Sequence, residues 1–153
     1  MSPYFHLRAV PPSALRNSAN WLQRLFEDDW DTVRRRIDRH REELLDRSYL
    51  DQNTLYAGAD VILGGRPVPH PHPDEPAFLI LTAAQAARVA TFLEAADFET
   101  LWQSAGQPLL RAYGGPDAEP QLHALFAATH RDVTAFYTRT AEYGDAVVKC
   151  LLP

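Results

Sequence analysis

Internal disulfides are excluded, because this 153-residue chain has a single cysteine, Cys150. A lone thiol is typical of proteins from a reducing compartment, and we therefore expect a cytoplasmic location. Cys150 lies among aliphatic residues such as Val148 and Leu152. This setting predicts a packed core thiol rather than a reactive nucleophile.

Lysine is equally rare. Lys149 is the one lysine, and arginine supplies all the other side chains in the Lys and Arg total of 15. This bias is typical of a GC-rich genome of the actinobacterial kind, and we expect a bacterial source. Any single arginine is therefore weak ground for arginine-specific chemistry.

An excess of basic charge and long apolar runs are both missing. The formal net charge is −5, whereas nucleic-acid-binding domains are usually basic, so we expect no nucleic-acid partner. No apolar run approaches the ~20 residues of a membrane-spanning helix, and the N-terminus does not have the pattern of a signal peptide. We expect no membrane association, and the length predicts one domain over residues 1–153.

Signatures of common enzyme classes and metal sites are absent as well. The sequence contains no G-x-S-x-G, H-E-x-x-H or dinucleotide-binding motif. His70 and His72 precede two carboxylates, but they lie in a proline-rich segment that is expected to be extended and exposed. His123 and His130 are two helical turns apart, about 10 Å, which is too far to share one ion, and we expect both to be partly exposed. The sequence predicts no metal, no cofactor and no catalytic set.

Short alternating or apolar segments predict strands at both ends and in the middle of the chain. They are Tyr4–Val10, residues 61–68, Phe78–Leu81 and the stretch after Gly144. Amphipathic helical patterns fill the intervals between them. This combination predicts a single α+β domain, in which a small antiparallel or mixed sheet includes both terminal strands and is packed by about five helices.

Helical spacing occurs in five parts of the chain. It follows Ser13 as far as Phe26 and Asp31 as far as Leu44, opens at Thr82, surrounds Trp102, and runs from about Pro120 to Gly144. Thr82 and Gln85 have capping-box spacing, and Gly144 is suited to end the last helix. Gly106 and Pro108 are expected to interrupt the helix around Trp102. Residues 46–60 predict a short helix or an ordered loop.

Four blocks of the chain resemble those of a known family. They are His6-Leu7-Arg8-Ala9-Val10 before Pro12, Leu45-Asp46-Arg47-Ser48-Tyr49, Leu63-Gly64-Gly65-Arg66-Pro67-Val68 before Leu81-Thr82, and Phe136-Tyr137 before Gly144-Asp145-Ala146-Val147. In order and spacing they resemble the YfbM-like family of bacterial proteins of unknown function, along nearly the whole chain. The resemblance implies an α+β fold and no particular chemistry.

The second block is followed by a departure from that family. Many of its members carry a Trp-His-Gly-like stretch there, followed by another histidine and an aromatic residue. In this chain the stretch from Tyr49 to Tyr56 contains no histidine. If the region is a site, its imidazole is either absent or supplied by another residue.

Three side chains of the first predicted strand form a candidate ligand-binding surface. Tyr4, His6 and Arg8 share one strand face, and a guanidinium beside two rings would suit an anionic or planar ligand. The irregular middle of the chain offers further members, namely Asp51, Gln52, Tyr56 and Arg66. The alternative, which the sequence favours, is an ordinary solvent-facing sheet surface on which Arg8 pairs with a carboxylate.

Two functional hypotheses stay open at this point. The preferred one is a non-catalytic module that binds an unidentified small molecule or protein partner, and an immunity or regulatory role is one form of it. The alternative is a small enzyme in which His6 acts as acid or base while Arg8 holds an anion. The enzyme requires His6 in a concave pocket, with a second polar group within hydrogen-bond reach.

Overall fold

A computed structural model describes residues 4–152 of the chain. Its strands are β1 (Tyr4–Val10), β2 (Glu42–Leu45), β3 (Arg66–Val68), β4 (Phe78–Leu81) and β5 (Ala146–Leu152). They form one antiparallel sheet with the order β2-β1-β5-β4-β3. The two terminal strands pair along their whole length, from Tyr4 opposite Leu152 to Val10 opposite Ala146. The α+β class predicted from the sequence is confirmed.

Six α-helices surround this sheet in the described range. They are α1 (Ala19–Arg24), α2 (Trp30–Asp38), α3 (Tyr49–Thr54), α4 (Ala83–Ala95), α5 (Phe98–Ala112) and α6 (Glu119–Glu142), with 3₁₀ turns at Pro12–Arg16 and Pro116–Ala118. The capping box that opens α4 is confirmed, because Thr82 and Gln85 each accept the other's backbone N–H. Gly144 follows α6 with a left-handed φ of 65°. None of the six is long and apolar enough to cross a bilayer.

Both faces of the sheet are covered. One face carries Leu7 and Val147 and packs against α4 and α6. The opposite face carries Ile80 and Val148 and packs against α1 and the 3₁₀ turn before it. The expected solvent-facing sheet surface is therefore wrong, because the segment after β1 folds back over that face and leaves Val148 fully buried.

The helix expected from Asp31 to Leu44 is also wrong in its second half. The helix α2 ends at Asp38, and His40 then adopts a left-handed φ of 58°. The backbone N–H groups of His40 and Arg41 bond back to the carbonyls of the last helical turn, which closes the helix. The next residues pair with β1 as β2, so tertiary pairing overrides the helical propensity of a Glu-Glu-Leu-Leu sequence.

Two other helix predictions need correction. The segment after Ser13 is a 3₁₀ turn and a separate α1, which Ser18 caps by accepting a backbone N–H at 3.2 Å. The helix α5, by contrast, runs unbroken through Gly106 and Pro108. Gly106 lies against the ring of Trp102, where an added Cβ would be 2.7 Å from Cδ2. Packing therefore requires glycine at this position, while Pro108 removes a single backbone donor.

The segment predicted as a strand at residues 61–68 is a strand only over its last three residues. Val61 is buried in an irregular turn, and the hydroxyl of Tyr137 donates to its carbonyl at 2.6 Å. Lys149 Nζ donates to the carbonyls of Asp60 at 2.8 Å and Gly64 at 2.7 Å. Because side chains satisfy these carbonyls, the segment needs no neighbouring strand.

Candidate functional site

A groove lies where the turn after β2 faces α6 and the end of α5. Two adjoining cavities form it. The larger, of about 240 Å³, is lined by Asp46, Arg47, Ser48, Tyr113, Leu122, Leu125, Phe126 and Thr129. The smaller, of about 150 Å³, is lined by Tyr4, Glu43, Leu44, Leu45, Asp46, Ser48, Thr129 and Asp132. We call the two cavities together the β2–α6 groove, since Asp46, Ser48 and Thr129 line both.

The turn on one side of the groove is fixed by its own side chains. The carboxylate of Asp46 accepts hydrogen bonds from the backbone N–H of Ser48 at 2.8 Å and from its hydroxyl at 2.5 Å, as in other aspartate-stabilised turns. Tyr49 begins α3 and stacks on Phe5 of β1, with ring centroids 5.1 Å apart. The block from Leu45 to Tyr49 therefore presents Asp46 and Ser48 to the groove from a rigid position.

Glu43 is the most unusual group in the groove. The register of β2 places it opposite Leu7, on the face that α6 covers, and it is only 7% exposed. Burial raises the pKa of its carboxyl to about 8, the charges of Asp132 and Glu42 add to the rise, and the N–H of Leu44 opposes it. Glu43 is therefore mostly protonated at pH 7. Within residues 4–152 no basic side chain forms an ion pair with it.

The other end of the groove is apolar. Leu125 is 64% exposed there, while Leu122 and Phe126 are buried. Tyr113 borders this end, and its hydroxyl donates a hydrogen bond to the carboxylate of Asp51. The groove thus joins an acidic end to an apolar end that opens to solvent.

A buried polar network lies behind the apolar end. Gln52 Nε2 donates to the carbonyl of Phe126 at 3.3 Å and to the hydroxyl of Tyr56 at 3.1 Å, and that hydroxyl is 2.9 Å from Nδ1 of His130. The Tyr56 hydroxyl donates to Nδ1 in the neutral tautomer of His130 that carries its proton on Nε2. Burial, with a smaller contribution from the charge of Arg131, lowers the pKa of His130 and favours the same state.

His130 departs from the expectation that both helix histidines are partly exposed. It is 8% exposed, because α6 directs it towards Tyr56 in the core. His123 remains partly exposed, with Nε2 2.6 Å from a carboxylate oxygen of Glu99. The stretch from Tyr49 to Tyr56, which has no histidine of its own, thus has an imidazole from α6 beside it.

The seven ligand-binding candidates of the sequence analysis do not form one site. Tyr4 lines the groove, and Asp51 accepts the hydrogen bond from Tyr113 at the apolar end of the groove. Gln52 and Tyr56 belong to the network behind it. Arg66 lies on the edge strand β3 beside a separate cavity of about 450 Å³.

His6 and Arg8 lie on the face of the sheet opposite Glu43, and neither residue lines the groove. The guanidinium of Arg8 donates to a backbone carbonyl in the loop after α1 and lies 3.6 Å from the carboxylate of Asp28. His6 is 9% exposed, and its ring packs edge-on to Phe26 with centroids 5.8 Å apart. The nearest carboxylate oxygen, on Glu42, is 3.9 Å from Nδ1, beyond hydrogen-bond distance. His6 lines neither cavity of the groove and not the cavity beside Arg66.

Pattern reasoning does not identify Glu43, Thr129 and Asp132. A helix over residues 31–44 turns both Glu42 and Glu43 towards solvent, whereas a strand sends successive side chains to opposite faces. Glu43 can therefore be predicted to face the core only if this segment is assigned as a strand. The helical propensity of the segment favours the other assignment. For the two α6 residues no local signal exists, since their role depends on what packs beside the helix.

His70 and His72 border a further cavity of about 150 Å³, which Cys150 also lines. The two imidazole centroids are 5.5 Å apart, and His70 stacks on Phe78 at 4.9 Å. Burial, the larger cause, raises the pKa of the Cys150 thiol to about 12, which leaves it unreactive. Between residues 4 and 152, no three His, Cys, Asp or Glu side chains are arranged to hold a metal ion.

Comparison with known proteins agrees with the observed fold. A family model described as a domain of unknown function, DUF1877, matches residues 14–149. The crystal structure of YfbM from Escherichia coli, a protein of unknown function, matches 99% of this chain and 100% of its own, with a TM-score of 0.62 and 15% sequence identity. At that identity the likeness concerns the fold alone. A search of curated proteins found no match. The resemblance to the YfbM-like family is confirmed.

Proposed function

The chain belongs to the DUF1877 family, and we propose that it is a non-catalytic binding module that holds a small molecule in the β2–α6 groove. One observation carries the proposal. Glu43 is buried in the lining of the smaller cavity without an ion-pair partner in the described range. Burial of an unpaired carboxyl group is costly, and a strongly raised pKa in a cleft is a mark of functional sites.

The rest of the groove has the composition of a small-molecule site. Such sites are concave and mainly apolar, with a few polar groups that orient the ligand. Here the apolar part comes from Leu122, Leu125 and Phe126, and the hydroxyls of Ser48 and Thr129 lie where the two cavities meet. These walls are a helix and a hydrogen-bonded turn, so a ligand would meet a site that is already formed.

A protein partner that inserts one side chain into the groove is the other form of the binding hypothesis. An immunity or regulatory role would be of this kind. We favour a free small molecule because Glu43 is only 7% exposed and lines a cavity of about 150 Å³.

An acid–base enzyme is the second candidate function. It is favoured by the pair of Glu43 and Asp132, because a carboxyl group with a raised pKa beside a second carboxyl group can act as an acid while its neighbour acts as a base. The form of this hypothesis that uses His6 has less support, since His6 packs against Phe26 and lacks the concave pocket that it requires. The fate of a bound compound separates the two functions: mass spectrometry would recover it unchanged from a binding module and altered from an enzyme.

Filling the groove tests the proposal. Thr129 lines both cavities, so Thr129→Trp is expected to abolish the binding of small aromatic fragments that ligand-observed NMR detects with the unaltered protein. Thr91→Trp on the exposed face of α4 is the matched control and should leave binding unchanged. Fragments that bind Thr129→Trp as well as the control, or a panel with no binder at all, would contradict the proposal.

A further inference from the structure

The charge and shape of the β2–α6 groove indicate the class of its ligand. We propose that the groove takes a small organic cation that carries an apolar group, such as an arylalkyl amine. The inference rests on the binding function proposed above and adds the chemistry of the ligand to it. Three features of the groove support it: one end is acidic, the buried carboxyl group there has no cation beside it, and the opposite end is apolar.

The acidic end is built without a compensating base. Glu43, Asp46 and Asp132 line the smaller cavity, and no Lys, Arg or His is among the residues around it. Asp46 is engaged by Ser48, so Glu43 and Asp132 are the carboxyl groups available to a ligand. Among the described residues that line the groove, Arg47 is the one basic residue; it lines the larger cavity and is exposed.

The burial of Glu43 distinguishes this end of the groove from an ordinary cluster of acidic residues on a protein surface. Glu43 is more than nine-tenths buried, and it lines the smaller cavity. Apart from the N–H of Leu44, its carboxyl has no hydrogen-bond donor from residues 4–152. A bound ammonium group would supply both missing components, a donor and a positive charge, in a site where charge-assisted hydrogen bonds are strong.

The apolar end accounts for the second part of the ligand. Leu125 is 64% exposed and Tyr113 is 39% exposed at this end, and both border the larger cavity beside the buried Phe126. A planar ring would cover these side chains and contact the aromatic residues edge-on or offset. A small inorganic cation would leave them uncovered, so the groove suits an organic one.

Binding is expected to release a proton. An ammonium ion and the protonated Glu43 carboxyl would form an ammonium–carboxylate pair, and the displaced proton passes to the buffer. The charged groups that act on Glu43 are Asp132 from α6 and Glu42 from its own strand, with Asp46 in the same cavity, and all are acidic. Affinity for the amine should therefore rise by up to about tenfold per pH unit from pH 6 towards pH 8.

Calorimetry with phenethylamine and its neutral counterpart 2-phenylethanol tests the inference. At pH 7 the amine should bind the unaltered protein at least about tenfold more tightly than the alcohol. Glu43→Gln should bring the two affinities to within about twofold, whereas Glu94→Gln on the exposed surface of α4 should leave the ratio unchanged. Calorimetry in two buffers with different ionisation enthalpies needs no variant and should show release of close to one proton per amine bound.

The outcomes distinguish the inference from the function on which it rests. If the amine and the alcohol bind equally well and Thr129→Trp abolishes the binding of both, the proposal of a cationic ligand is wrong and the binding function is retained. Amine binding without proton release, or with the ratio intact in Glu43→Gln, would also overturn the cation site at Glu43. Binding of neither compound, together with a failed fragment panel, would overturn both.

Discussion

Replacing Glu43 with glutamine is expected to raise the free energy of unfolding at neutral pH. In the unfolded chain this carboxyl titrates near its ordinary pKa of 4.5, whereas burial in the fold raises the pKa to about 8. Between these two values the folded state binds more protons than the unfolded state, so the stability of the protein falls as the pH rises. Glutamine has nearly the same shape and cannot ionise, so it removes this penalty.

The size of the effect follows from the same two pKa values. Linkage contributes about 1.4 kcal/mol for each pH unit above the unfolded-state pKa, which gives ~3 kcal/mol at pH 7 as an upper value. The glutamine amide leaves a buried donor incompletely satisfied, at a cost of ~1–2 kcal/mol. We therefore expect a net gain of roughly 1–2 kcal/mol at pH 7 that levels off above pH 8, and a small net loss at pH 5, where linkage contributes only about 0.7 kcal/mol.

Urea unfolding at pH 5, 6, 7 and 8 measures this difference. Glu94→Gln is the matched control, because it removes one carboxylate from an exposed site on α4 and should stay close to the unaltered protein at every pH. A Glu43→Gln variant that is less stable at pH 7, or whose difference from the unaltered protein does not grow between pH 5 and pH 8, would refute the reasoning.

Two further predictions concern side chains that hold the fold together. Lys149→Met leaves the carbonyls of Asp60 and Gly64 without their donor, and denaturant unfolding should show a loss of stability that is larger at pH 9 than at pH 6. Burial lowers the pKa of Lys149 to about 7, so as the pH rises the folded state loses this proton before the unfolded state does. The unaltered protein therefore gains stability as the pH rises from 7 towards 10.5. A loss of stability that does not depend on pH would contradict this prediction. Thr82→Ala removes the capping box of α4 and should cost ~1 kcal/mol, seen as a lower melting temperature, while no loss would mean that packing alone sets the start of this helix.

Local signals predicted the elements in which propensity and tertiary structure agree. The strand β1 alternates along most of its length, and Phe5, Leu7 and Ala9 all face α4 and α6. The capping box at Thr82 and the glycine after α6 mark helix ends by backbone chemistry that does not depend on distant residues. These elements can therefore be predicted from the local sequence alone.

Other elements depend on partners that are remote in the sequence. The strand β2 exists because β1 offers it a sheet edge, and its Glu-Glu-Leu-Leu sequence favours a helix in isolation. The turn around Val61 is held by Tyr137 and Lys149 from the other end of the chain, so no local pattern describes it.

The groove was beyond local prediction for the same reason. Its lining comes from residues 43–48, Tyr113 and residues 122–132, which meet only when β2 packs beside α6. The sequence alone indicates Tyr4, Asp51, Gln52 and Tyr56, which adjoin the groove, whereas it indicates Glu43 only once residues 42–45 are known to form a strand.

Mapping of amide chemical shifts during a titration with phenethylamine tests the role of the β2–α6 groove most directly. The account predicts shifts concentrated in residues 43–48 and 122–132, with residues 66–82 unchanged. Shifts centred instead on His6, Arg8 and Arg66, or no shifts at millimolar amine, would contradict it.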